Sequence, residues 1–137
     1  MKKTAVLRAI VSMLFVTAIA ISTDCPASAQ QPSIQRKSLL QQASPIPGYQ
    51  AIMNTVEIPV GVREVRHTHP GPLLVYVLEG TITLEHEGRP TATYNAGDAF
   101  IVDASKVHQG INAGNVPVKL LAMLMAENGK PPTSPAP

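Results

Sequence analysis

Four histidines, His67, His69, His86 and His108, are the side chains of this 137-residue chain best suited to chemistry. His67 and His69 are separated by one residue in a stretch that reads as a strand. Successive strand side chains point to opposite faces, so these two imidazoles share a face. A third imidazole delivered from a later strand completes a divalent metal site. An H-x-H pair also occurs on plain surface strands, so its meaning depends on the chain around it. His86 falls late in an alternating run beside the Glu87-Gly88 turn and is expected to be a packing or solvated histidine. The carboxylates Glu57, Glu64, Glu79, Glu85, Glu87, Asp98 and Asp103 are scattered among turns and strand ends. Glu64 lies an odd number of residues before His67 and is expected to face away from it. No Ser-His-Asp order, phosphate-cradling glycine loop or CxxC pair is visible.

The elements that must carry these histidines are strands. Glycines punctuate the middle of the chain at 61, 71, 80, 88 and 97, a spacing of eight to ten residues. Turn signals at that interval between β-rich runs predict an all-β sandwich or barrel. Residues 52–58 and 81–87 alternate apolar and polar positions, while 73–78 and 99–102 are apolar throughout. Residues 118–126 (VKLLAMLMA) are ambiguous, because Leu, Met and Ala also favour helix. Glu79-Gly80, Glu87-Gly88-Arg89-Pro90 and Asn95-Ala96-Gly97-Asp98 supply turn chemistry. No segment combines a helix start with a helix stop.

The ends differ from the middle. Lys2, Lys3 and Arg8 precede a largely apolar run over residues 9–21, followed by Ala27-Ser28-Ala29. A positive start, a short apolar run and an A-x-A site read as a secretory signal peptide over residues 1–29. The run is shorter than the ~20 residues a spanning helix needs. Asp24, directly before Cys25, fits a lipoprotein signal poorly, so cleavage after Ala29 is expected, with export to the periplasm or medium. The formal charge of the whole chain is +2, and removing Lys2, Lys3, Arg8 and Asp24 leaves eight cations and eight anions over 108 residues. That neutral domain lacks the basic footprint of a nucleic-acid binder, and no membrane attachment is expected after cleavage. It also lacks cysteine, so it must hold together by burial. Residues 30–50 read as a linker and an arm able to pair with the barrel, 51–126 as the barrel, and 127–137 as a proline-rich, flexible tail.

Two segments carry a resemblance. Residues 61–80 (GVREVRHTHPGPLLVYVLEG) and 97–112 (GDAFIVDASKVHQGIN) resemble the two signature motifs of the cupin superfamily. In the first motif, G-x5-H-x-H-x3-4-E-x6-G, Gly61, His67, His69 and Gly80 match. In the second, G-x5-P-x-G-x2-H-x3-N, Gly97, His108 and Asn112 match. The motif glutamate falls at position 73 or 74, and both are leucine. Asp103 and Ser105 stand in the motif's proline and glycine positions.

The resemblance implies a single-domain jelly-roll β-barrel that binds a divalent transition metal through His67, His69 and His108. Iron, manganese, nickel, copper and zinc all accept imidazole. Leu73 would lie near the metal, and strand alternation would put Val75 and Val77 on the same inward face as an apolar pocket wall. Tyr76 would point the opposite way. A three-histidine site lacking the carboxylate keeps the ion's full +2 charge and suits anionic, bidentate oxygen ligands. The functions implied are a metal-dependent oxidoreductase of dioxygenase type on a small organic substrate, or a non-catalytic metal- or ligand-binding module. A metal-free isomerase is the weakest fit, because no partnering acid is visible. Small cupins also imply a homodimer that covers exposed strand edges.

Overall fold

Residues 118–126 settle their ambiguity as a strand in the computed structural model, which describes residues 32–137. Val118, Leu120, Ala122, Leu124 and Ala126 are buried, and the residues between them are partly exposed. Period-two burial is available because a strand pairs along each side of this segment, satisfying its backbone groups in both directions. The inferred signal peptide, its cleavage site and Cys25 lie outside the described residues.

The described chain forms ten strands and no helix. They are β1 (Gln35–Ala43), β2 (Tyr49–Ile58), β3 (His67–Thr68), β4 (Leu73–Glu79), β5 (Thr81–His86), β6 (Ala92–Asn95), β7 (Ala99–Val102), β8 (His108–Ile111), β9 (Val118–Glu127) and β10 (Ser134–Pro135). Two five-stranded antiparallel sheets result, in the orders β1-β2-β9-β4-β7 and β10-β3-β8-β5-β6. The architecture is all-β, a jelly roll of two facing sheets.

The core lies between the sheets. Val56 and Ile58 of β2, Val75 and Val77 of β4, and Val118 and Leu120 of β9 meet Ile82 of β5. Full burial of a Val, Ile or Leu side chain contributes about 1.5–3 kcal/mol, so these few positions hold the sheets together. β2 and β9 pair without a break over ten residues, Tyr49↔Glu127 to Ile58↔Val118. This long ladder is the back wall from which the opposite sheet presents the histidines.

Two glycines shape the approach to β4. Gly71 packs so closely on β9 that a Cβ there would lie 1.7 Å from the Met125 carbonyl oxygen. Gly80 turns the β4–β5 hairpin with φ +78°, a conformation that favours glycine.

The arm and the tail both join the sheets. β1 pairs with β2 from Gln35↔Glu57 to Ala43↔Gln50, and all nine of its residues are exposed. The tail, expected to be flexible from its prolines, carries a two-residue edge strand. β10 pairs with β3, Ser134↔Thr68 and Pro135↔His67, and the Ala136 amide donates to the Arg66 carbonyl at 2.9 Å. An antiparallel edge alternates between hydrogen-bonded and non-bonded pairs. Pro135 falls at a non-bonded pair, where a missing N–H costs nothing, so proline is compatible with this edge.

Candidate metal centre

β3 is only two residues long, yet it fixes the centre of the site. His67 is the direct partner of His108 across the β3–β8 pair, and His108 is in turn the partner of His86 across β8–β5. Directly opposed residues project to the same side of a sheet, so this register brings rings from distant parts of the chain together. His69 lies just beyond the end of β3, and its carbonyl accepts the Ser105 amide at 2.8 Å. The ring centroids of His67, His69 and His108 are 4.3–5.0 Å apart. Their ligand atoms all lie within 4.8 Å of one another, and all three residues are buried.

Each of the three rings is held through Nδ1. His67 Nδ1 donates to the Val65 carbonyl at 2.7 Å, His108 Nδ1 to the Lys106 carbonyl at 3.0 Å, and His69 Nδ1 to the Pro132 carbonyl at 2.7 Å. With the proton on Nδ1, each Nε2 carries a free lone pair. A backbone acceptor on the far nitrogen is the usual support of a metal-bound imidazole, fixing its tautomer and raising its basicity. His108 Nε2 is buried and has no hydrogen-bond partner. A buried nitrogen without a partner is costly in an apolar setting, and a metal ion would relieve that cost. Burial pushes the His108 pKa down to about 4, against a smaller opposing effect of its bond to Lys106. His69 is also lowered, again chiefly by burial. Both rings are therefore neutral imidazoles at neutral pH. The residues present fit a divalent transition metal.

The histidines face a cavity of about 510 Å³ between the sheets. Its walls are mainly apolar, formed by Ile52, Val56, Leu73, Val75, Phe100 and Leu124 among others, with Arg36, Asn54, Arg63 and Glu64 adding polar groups. Leu73 faces inward, whereas Leu74 is 42% exposed on the outer face. Position 73 is thus the one at which the motif's glutamate would face the cavity. Val77 shares the inward face of β4 but is fully buried in the core and does not line the cavity, correcting its expected place in the pocket wall. Alternation gives the face of a residue and not its depth. Tyr76 is on the outer face, 45% exposed.

Two further residues depart from expectation. Glu64 lines the cavity instead of facing away. Alternation back from His67 fails because residues 64–66 are not strand; only an isolated bridge, Arg63↔Ile111, precedes β3. Glu64 is committed to other partners: Arg36 donates to Oε1 at 2.6 Å, and the Gly110 amide to Oε2 at 3.1 Å. His86 is buried, with Nδ1 donating to the Glu87 carbonyl at 2.8 Å and Nε2 accepting the Asp103 amide at 3.3 Å. It packs behind His108 and has no nitrogen left over. Asn112, the last motif residue, is structural. It is fully buried, donates to the carbonyls of Ile58 and Val116 and accepts the Gly114 amide.

Sequence reasoning missed Arg36, Pro132 and Thr133 in the site, because nothing in an arm or a proline-rich tail marks which loop it will cover. Residues 54–124, just over half of the chain, match the cupin domain family. The chain belongs to this family.

Solved structures agree on the fold of this cupin. A double-stranded β-helix protein from Klebsiella pneumoniae superposes with a TM-score of 0.64 at 17% identity, covering 79% of this chain and 88% of that one. A cupin-like protein from Thermotoga maritima gives 0.64 at 18% identity, covering 75% of each chain. The DMSP lyase of Ruegeria pomeroyi gives 0.63 at 17% identity, covering 75% of this cupin and 51% of the lyase. No curated protein matches the sequence.

Proposed function

We propose that this cupin is an exported metalloprotein that holds a divalent transition ion through His67, His69 and His108. It would present that ion to a small organic molecule in the adjoining cavity. The observation that carries the reading is the buried, unpartnered Nε2 of His108 within a triad whose Nδ1 atoms are all tied to backbone carbonyls. The apolar walls suit a compact ligand with one chelating, oxygen-rich end. Bound there, a metal supplies Lewis acidity and, if redox-active, a route for electrons to and from a chelated substrate. The chain's own part is to fix three imidazole ligands, exclude water with apolar walls and leave the ion uncompensated by a carboxylate. On that basis the activity we assign is oxidation of a small chelating substrate, of dioxygenase type.

The test is metal content followed by turnover. Mature protein purified without chelators should carry close to one iron, nickel, copper, manganese or zinc ion per chain. Less than about 0.1 per chain, with no uptake of added metal, overturns the metal site. Metal binding without oxygen consumption across diketones, flavonols and thiol acids would instead identify a non-catalytic binding module. That second reading is favoured by Glu64, the carboxylate in the cavity wall, which is committed to Arg36 and Gly110 and offers no base.

Export rests on the inferred leader over residues 1–29, and the N-terminal residue of protein recovered from the periplasm or medium tests it. A homodimer is also part of the proposal. Leu40, Met53, Met123, Leu74 and Ile101 form one apolar row across all five strands of the β1-to-β7 sheet. Leu40, Leu74 and Ile101 in that row are more than a third exposed. Light scattering should give twice the monomer mass, falling to the monomer in Leu74→Glu.

A further inference from the structure

The three histidines are anchored in two different ways. His67 and His108 each donate Nδ1 to a carbonyl two residues earlier in the chain. Those acceptors are present whenever the local backbone is folded. His69 instead donates to the carbonyl of Pro132, 63 residues away, at 2.7 Å. Thr133 Oγ1 lies 3.4 Å from the same nitrogen. The Pro132 carbonyl is brought there by the tail. β10 pairs with β3, and the Ala136 amide donates to the Arg66 carbonyl. Pro132, Thr133 and Pro135 also line the cavity that the histidines face.

We propose that the C-terminal segment from Pro132 to Ala136 is a strap belonging to the metal centre, with Pro132 as the positioning residue for His69. The inference rests on the metal-site reading above. The Pro132 carbonyl holds the His69 proton on Nδ1 and turns Nε2 toward the other two ligands. Without it, His69 can rotate or exchange tautomers, and one of three ligands loses its preset aim. The coupling runs both ways, as linkage requires. An ion on His69 fixes the ring that the tail grips, so metal binding holds the strap down. A docked strap in turn makes the ion bind more tightly and narrows the way out of the cavity. The strap is an edge strand of two residues, held on one side only, so it can release without unfolding the sheets.

The experiment compares the mature chain with a variant ending at Lys130 and with Ala136→Pro, which removes the amide that bonds to Arg66. Zinc affinity is measured by competition with a chromophoric chelator. Cobalt(II) absorption reports ligand number and geometry. Hydrogen exchange over residues 131–137 is followed with and without zinc. The truncated chain should bind zinc about 10–100-fold more weakly, as for loss of other outer partners of metal-bound histidine. Its cobalt spectrum should change, Ala136→Pro should fall between the two, and zinc should slow exchange of the tail in the intact chain. Equal affinity and identical cobalt spectra in intact and truncated chains would overturn the proposal. So would tail exchange that is indifferent to zinc, which also decides the matter if the truncated chain fails to fold. If the intact chain binds no metal, the metal-site reading fails, and this inference with it; a normal intact chain beside an unaffected truncation fails the strap alone.

Discussion

His86 and His108 lie directly opposite each other across β5 and β8, with ring centroids 6.4 Å apart and planes inclined by only 30°. Yet they have opposite hydrogen-bonding states. Both nitrogens of His86 are engaged, while Nε2 of His108 is buried and bare. Adjacent positions on one sheet face thus separate a structural imidazole from a candidate metal ligand.

That difference predicts a clean contrast. His108→Ala should lower metal occupancy sharply, because the remaining pair, His67 and His69, leaves one face of the ion open. His86→Ala should keep near-normal occupancy and reduce stability by about 1–3 kcal/mol, since the Asp103 amide loses its acceptor and a well-packed ring is removed. Metal analysis and urea unfolding of the two variants would check this. Equal metal loss in both would mean that the four histidines act as a single cluster.

Leu73→Glu should tighten metal binding. The side chain at 73 faces the cavity that the histidines share, and a carboxylate there would neutralise part of the ion's charge. A tenfold gain corresponds to about 1.4 kcal/mol and is the expected order. Isothermal titration with zinc or nickel reads it directly; weaker binding in a folded variant would place the introduced carboxylate out of reach of the ion.

Acid should destabilise the metal-free protein in a defined window. Burial lowers His108 to about 4 and lowers His69 as well, from an ordinary value of 6.5. Between those values the unfolded chain binds more protons than the folded one, so stability falls as pH falls. The contribution is fully present above pH 6.5, is withdrawn progressively below it and is exhausted once the folded groups protonate. Urea midpoints measured in chelator from pH 7.5 to 4 should show this decline. The decline should be shallower in His108→Gln, and parallel curves for the two proteins would contradict it.

Ser105→Gly should stabilise the domain. Ser105 has φ 62°, the left-handed region that costs an L-residue with a Cβ about 1 kcal/mol or more. Its amide bond to the His69 carbonyl fixes that geometry and would survive the change. Thermal unfolding should show a higher midpoint with unchanged metal affinity.

The sequence made the scaffold legible wherever burial follows local periodicity. β2, β4, β5 and β7 stand close to where alternation or continuous apolar runs predicted them, because each buries at least one face, whereas the Leu-, Met- and Ala-rich β9 declared itself a strand only through its pairing. The convergence of His67, His69 and His108 was legible through the resemblance, since register across β3 and β8 is a long-range property that no local pattern encodes. The pairing of the arm was expected, but neither the bounds of β1 nor the existence of β10 was legible. They bury little, β1 none of its side chains, and exist by pairing with an edge already formed. Glu64 was misplaced for a related reason: it sits on a short irregular approach to β3, where period two does not hold.

The register that opposes His67 and His108 also has a consequence for how the folded chain would endure after the proposed export. Cys25 is the only cysteine and lies within the inferred leader, so the mature domain cannot form an internal disulfide. An ion gripped by His67 on β3 and His108 on β8 would join points about 40 residues apart, a span over which cross-links are effective at limiting the unfolded chain. Unlike a disulfide, this clasp has a strength set by supply: free metal at 100 times its Kd adds about 2.7 kcal/mol, and metal-poor surroundings add almost nothing. The persistence of the protein would then track the metal content of the compartment that receives it.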